Sequence, residues 1–256
     1  MFTEDYSAVM QAARAKAVFL KENPIGYLVS SLMAGIFVGF GVLLIFTIGG
    51  LLNGQTYAKI AMGVSFGIAL SLVLVAGSDL FTGNNFIMTA GALGKTVSWL
   101  DAVKIWCVSY LGNWAGSILL AALFYGAGLS TGPVGEFISN VSATKMNIPI
   151  ASLFLRGVLC NMLVCLAVWC NFRLKSESGR LIMIFWCLFA FITIGLEHSI
   201  ANMSLLTISL FTPFDAAVSL SGYFYNILVV TAGNMVGGTI GLAVPYFIIS
   251  RRKEVK

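Results

Sequence analysis

The segment Gly195-Leu196-Glu197-His198-Ser199-Ile200-Ala201-Asn202-Met203 sets the only histidine of the chain, His198, beside a carboxylate, Glu197. Both lie in an apolar run that begins after Arg180 and is otherwise suited to crossing a membrane. Placing a charged side chain in such a run costs about 2.5–3.5 kcal/mol on insertion scales. An ionisable pair there points to a site on a substrate pathway; the alternative is a wet loop between two spans.

The rest of the chain supports a membrane setting. Of its 256 residues, 59% are hydrophobic and only 10% charged, which is outside the range of a water-soluble domain. The length accommodates about six spans of ~20 residues with short connections, and no hydrophilic block is long enough for a second domain. The net charge of +5 comes from connecting segments and reads as topology, with no nucleic-acid-binding stripe. The five cysteines (Cys107, Cys160, Cys165, Cys170, Cys187) fall in apolar runs at spacings that fit no metal or redox motif, so they read as packing residues. No cofactor is expected, and no metal.

In chain order, residues 1–24 mix acids with bases and lack the compact apolar core of a signal peptide. Val9, Met10, Ala13, Ala17 and Leu20 recur at helical spacing with Arg14, Lys16 and Lys21 between them. This fits an amphipathic helix on the membrane surface or a cap on the bundle. The uncharged run 27–55 is the first span, with Gly35, Gly39 and Gly41 forming a small face. A second span, 60–78, runs into Asp79-Leu80-Phe81-Thr82-Gly83-Asn84-Asn85 before hydrophobicity resumes at 86–93. That pattern predicts a broken helix whose freed backbone groups line a cavity or are buried in protein. A third span covers 105–129, and the Gly/Pro-punctuated stretch 130–147 is expected to be a loop. The fourth covers 150–171, the fifth begins after Arg180 and breaks at Glu197-His198, and the sixth covers 223–249.

The basic residues fix the expected orientation. With the N-terminus inside, Arg14, Lys16, Lys21, Lys95, Lys104, Arg173, Lys175, Arg180, Arg251, Arg252, Lys253 and Lys256 are cytoplasmic, and only Lys59, Lys145 and Arg156 face out. Twelve against three is a strong positive-inside bias that puts both termini in the cytoplasm. Gly112-Asn113-Trp114-Ala115-Gly116 recurs as Gly233-Asn234-Met235-Val236-Gly237, offset by 121, and Asp79 and Glu197 are offset by 118. The chain therefore reads as an all-α polytopic membrane protein of six transmembrane helices. They form two three-helix repeats, 27–129 and 148–249, each with a broken middle span. Because three is odd, the repeats are inverted, which places a solute site near the midplane between the breaks.

Leu80-Phe81-Thr82, the run Arg156-Gly157-Val158-Leu159-Cys160-Asn161-Met162-Leu163-Val164-Cys165-Leu166-Ala167-Val168-Trp169, and Glu197-His198-Ser199-Ile200-Ala201-Asn202-Met203 resemble the signatures of the formate/nitrite transporter family. The resemblance covers nearly the whole chain in order and spacing. Asn23-Pro24 and Ile45-Phe46-Thr47 are closer to its nitrite and hydrosulfide branches than to its formate branch. The resemblance implies a homopentamer of aquaporin-like protomers in the cytoplasmic (inner) membrane, each with its own pore for a small monovalent anion. It also implies two hydrophobic slits, one lined by Phe66 and Phe81 and the other by Leu70 and Phe191. His198 would lie between them, with Thr82 opposite and Lys145, Asn161, Glu197 and Asn202 as a surrounding polar cluster.

The side chains suit that role. An anion entering a dry slit loses hydration at high cost unless paired or neutralised. Lys145 can attract it, Thr82 offers a hydroxyl, and His198 can give a proton or a hydrogen bond. Two other classes fit the residues less well. Gly128-Leu129-Ser130-Thr131-Gly132 fits the G-x-S-x-G string of serine hydrolases but sits where a span meets a loop, without the strand–turn–helix context that motif needs. A neutral-solute pore of the aquaporin kind shares the architecture, but the paired Asn-Pro-Ala boxes are missing from the sequence, and Lys145 with His198 favours anions. The expectation is a non-enzymatic channel or transporter for nitrite, hydrosulfide or formate.

Overall fold

Asn23 and Pro24 start the first long helix: the Asn23 side chain accepts the Gly26 amide at 2.8 Å, and Pro24 occupies a position where its missing N–H costs nothing. The computed structural model describes residues 2–251, so Arg252, Lys253 and Lys256 of the basic set lie outside the described residues. Helix α1 (Thr3–Glu22) precedes α2 (Pro24–Leu51). The next span is assembled from α3 (Ala58–Ser65), α4 (Gly67–Ser71) and a π-helical turn, Leu72–Gly77. Then come α5 (Phe81–Leu93), α6 (Trp99–Gly126), α7 (Gly132–Met146), α8 (Ile150–Arg173), α9 (Glu177–Ile194) and α10 (Ser199–Phe211). Finally α11 (Leu220–Gly238) runs through a π-helical turn, Thr239–Ala243, into α12 (Val244–Ser250). Six of these stretches are long and apolar enough to cross a membrane: Pro24–Leu51, Ala58–Gly77, Trp99–Gly126, Ile150–Arg173, Glu177–Ile194 and Leu220–Ser250.

The two halves are built alike. In the first, α2 lies along α6; in the second, α8 lies along α11. Both contacts bring backbones together through glycine, since a Cβ on Gly116 would run into the Leu32 carbonyl and one on Gly237 into the Val158 carbonyl. Gly237→Ala should therefore cost about 1–3 kcal/mol and lower the thermal midpoint of the detergent-solubilised protein. Gly126→Ala, where an added methyl meets nothing within 4 Å, should leave it unchanged. Equal midpoints for the two variants would refute the close-packing account.

The middle span of each half is interrupted in the same way. The backbone turns left-handed at Gly77 (φ +81) and Gly195 (φ +90), a conformation that glycine adopts without Cβ strain. It then runs extended at Leu80 and His198 before α5 and α10 begin. The spacing of 118 residues that relates Asp79 to Glu197 also relates Gly77 to Gly195 and Leu80 to His198. The first interruption is shorter than the sequence suggested: Thr82, Asn84 and Asn85 are helical and buried, with Thr82 Oγ1 bonded to His198, Asn84 Nδ2 to Asp79 and Tyr27, and Asn85 Oδ1 to Asn161.

One connection differs from expectation. The stretch 130–147 is not a loop but contains α7, whose Pro133 stands in the first turn, where proline starts a helix instead of breaking one. Ile138 is buried, Val134, Phe137 and Val141 pack on the core, and Ser139 Oγ donates to the Thr212 carbonyl at 2.6 Å. At the other end, α1 caps the bundle: Tyr6, Val9 and Ala13 are buried, and Thr96 Oγ1 donates to the Met10 carbonyl at 3.0 Å.

Candidate functional site

Helices α5 and α10 begin at the two breaks, and their first amides are capped from outside. Asn113 Oδ1 on α6 accepts the Phe81 amide at 2.8 Å, while Asn113 Nδ2 donates to the Ser31 and Asp79 carbonyls at 2.7 and 2.9 Å. Asn234 on α11 repeats the arrangement: Oδ1 accepts the Ser199 amide at 2.9 Å, and Nδ2 donates to the Gly157 and Glu197 carbonyls at 2.8 and 3.0 Å. Each asparagine thus satisfies two groups that the break leaves without helical partners, an amide and a carbonyl, and ties them to a carbonyl of the adjoining long helix. The repeated Gly-Asn motif signalled the repeat in the sequence; its structural work becomes visible only with the breaks in place.

The acid at each break is held by a lysine and an asparagine. Lys16 Nζ lies 2.7 Å from Asp79 Oδ2, while Asp79 Oδ1 accepts from Asn84 Nδ2 at 2.5 Å and from the Tyr27 hydroxyl. Lys145 Nζ reaches both Glu197 oxygens at 2.7 Å, and Asn202 Nδ2 donates to Oε2 at 2.7 Å and to Asn226 Oδ1 at 2.8 Å. Glu197 is 2% exposed, so the buried charge depends on this set for its compensation. Lys16, Tyr27 and Asn84 were not among the sequence candidates. The position of Asn84, five residues after Asp79 as Asn202 is after Glu197, was the available signal.

His198 joins the halves. Its Nδ1 accepts the Ala201 amide at 3.2 Å, so the neutral ring carries its proton on Nε2, 3.0 Å from Thr82 Oγ1. The Nε2–H donates to Thr82, which leaves the threonine hydroxyl proton free for another acceptor. Neither residue is open to bulk solvent, and the Phe191 ring stacks on the imidazole with centroids 6.1 Å apart.

Three cavities lie in series through this point. A cavity of about 470 Å³ on the Lys145 side ends at Phe66, Phe191 and His198. The second, about 10 Å³, is shared by Phe66, Phe191, His198, Val38, Leu70, Leu80 and Val164, and it is about at the limit for holding one water. The third, about 40 Å³ on the Lys16 side, begins at Leu70 and Leu80 and includes Ser78 and Asn84. Residues common to successive cavities mark the constrictions: Phe66 with Phe191, whose rings meet edge to face at 5.2 Å, and then Leu70 with Leu80.

The cavities group these residues differently from the sequence expectation. Phe81 lines none of these cavities; it packs on Tyr110 with ring centroids 4.9 Å apart. Leu80 stands in its place, because the residue before a helix and the first residue within it point in different directions. Phe191 meets Phe66 edge to face, and shares the small second cavity with Leu70. Asn161 stays behind the wall, where its Nδ2 donates to the Thr82 and Asn234 carbonyls and to Asn85 Oδ1. Ser130 sits in the turn before α7, while the imidazole is committed to Thr82 and Ala201, so no serine–histidine pair forms.

The formate/nitrite transporter family model matches residues 3–248. The chain belongs to the formate/nitrite transporter family. It is 40% identical to the nitrite transporter NirC of Salmonella typhimurium over 255 residues, 99% of this chain and 94% of that one. Its structure superposes with a TM-score of 0.93 on a solved FNT family ion channel at 38% identity, covering 98% of this chain and all of that one. A pentameric formate channel with formate bound gives a TM-score of 0.80 at 28% identity over 90% of this chain and 98% of that one. As a member of the formate/nitrite transporter family, the chain is a membrane transporter or channel and not an enzyme.

Proposed function

We propose that this chain conducts small monovalent anions, with nitrite, hydrosulfide and formate as the candidates, through a pore within each protomer of a homopentamer in the cytoplasmic membrane. Both termini face the cytoplasm and Lys145 faces out. The observation that carries this reading is that His198, backed by Thr82, lines both cavities that meet at the Phe66–Phe191 constriction, with the Leu70–Leu80 constriction beyond it. Nitrite is favoured by the NirC relatives, and formate by the bound ligand of the pentameric neighbour.

The chemistry follows from what each part can do. The 470 Å³ cavity admits a hydrated anion, but the Phe66–Phe191 constriction strips its water. A bare charge in an apolar slot is costly. At that point the His198 Nε2–H can exchange Thr82 Oγ1 for the anion and replace lost hydration. Because Nδ1 is engaged by an N–H donor, the ring acts as a hydrogen-bond donor. The proton that turns an anion into its neutral acid arrives with it from the aqueous side. The neutral acid then passes Leu70 and Leu80 and ionises again in the recess near Lys16.

Purified protein in liposomes tests this directly. Nitrite, hydrosulfide and formate flux should each be measured against empty vesicles at fixed pH. At least one should exceed the control by more than about 10-fold, and glycerol should not. Glycerol permeation with no anion flux would favour the neutral-solute pore and overturn the proposal.

A further inference from the structure

On the proposed orientation, the outer cavity carries three cations, Lys59, Lys145 and Arg156, and among the described residues one acid, Glu197. Lys145 does not act as a free charge: both oxygens of Glu197 lie 2.7 Å from its ammonium. Seen from a few ångströms away, that pair is a dipole with no net charge.

Lys59 and Arg156 are different. Among the described residues neither has a carboxylate partner within 4.0 Å, and both are exposed to the cavity. Lys59 reaches from α3 across to the second break, where a Cβ at Gly195 would meet its ammonium. Arg156 stands on α8, and its carbonyl accepts the Glu197 amide at 3.3 Å. Both line the cavity that ends at His198. The remaining outer acids, Glu136 and Asp215, do not line the cavity.

We infer that Lys59 and Arg156, and not the paired Lys145, form the anion-capture element of the outer vestibule. This inference rests on the transport reading above. Low-dielectric walls focus the field of fixed charges into a cleft and raise the local concentration of the opposite ion. A unit charge about 7 Å away in a water-like medium raises the anion concentration roughly threefold, and two such charges raise it about tenfold. The enrichment applies to any small anion, so it sets the rate at low concentration without choosing among substrates. Selection remains with the constrictions and His198.

The test is nitrite uptake into liposomes containing full-length protein, at low nitrite concentration and in both low and high salt. Lys59→Gln and Arg156→Gln should each lower low-salt uptake about threefold, and the double variant about tenfold. All should converge on the wild type near 0.5 M salt, where the Debye length falls to roughly 4 Å. Uptake at saturating nitrite should change little. The charge-preserving Lys59→Arg and Arg156→Lys variants should behave as the wild type. A double Gln variant that matches the wild type at low salt would overturn the inference, as would a loss that persists at high salt or appears equally in the charge-preserving variants. Wild-type protein that moves none of the three candidate anions would defeat the transport reading itself, which a variant-only result would not.

Discussion

His198→Asn should lower nitrite uptake in liposomes by about 10- to 100-fold while leaving the folded protein intact. Asparagine can still cap the Ala201 amide, since it is a favoured residue before a helix. Its side chain is shorter than imidazole and cannot also reach Thr82 Oγ1, which His198 Nε2 meets at 3.0 Å. The anion at the constriction thus loses a donor. A hydrogen bond to a charged group contributes about 1.5–3 kcal/mol, and each 1.36 kcal/mol is about tenfold in rate. Thermal midpoints establish that the variant folds. Uptake equal to the wild type at every pH would remove the histidine from the mechanism.

Lys145→Met should be among the most destabilising single substitutions in the chain. It strands the Glu197 carboxylate, whose side chain is 3% exposed, beside a lysine site itself only 17% exposed. Removing one partner of a buried pair costs about 3–5 kcal/mol, because an uncompensated charge stays behind. For a chain of this size that corresponds to a midpoint lower by roughly 10 °C. Adding Glu197→Gln to Lys145→Met should recover most of the loss, since the leftover charge is gone. The comparison pair is Arg173 with Asp5, at 3.3 Å and with side chains 44% and 31% exposed; Arg173→Met should cost about 0–1 kcal/mol. If the double variant is no more stable than Lys145→Met alone, Lys145 contributes through packing and not through charge.

Much of the architecture was written in the order of apolar runs. Charge is so scarce that each span announces itself, and Asp79 and Glu197 stand out because they interrupt runs that would otherwise be unbroken. The Gly-Asn repeat exposed the duplication for the same reason, as a polar residue at a fixed place in two uncharged spans. The transverse detail was less legible. Phe81 and Leu80 are neighbours in sequence with similar hydropathy, and only the start of α5 decides which of them faces the passage. The helical nature of 132–146 was obscured because proline and glycine mark a helix start as readily as a turn. The partners of Asp79 were hidden for another reason: Lys16 and Tyr27 lie more than 50 residues away in the chain, and no local pattern ties them to it.

The external capping of α5 and α10 has a consequence for how such a protein can diverge. Leu80 and His198 are counterparts under the 118-residue repeat, yet one is a wall residue and the other the polar centre. Neither helix depends on that residue for its first amide, because Asn113 and Asn234 supply that bond from a neighbouring span. The bond that opens each helix and the side chain at the break are therefore separately encoded. A lineage can exchange the side chain at either position, and with it the chemistry presented to the solute, while the frame that holds the position in place is inherited unchanged.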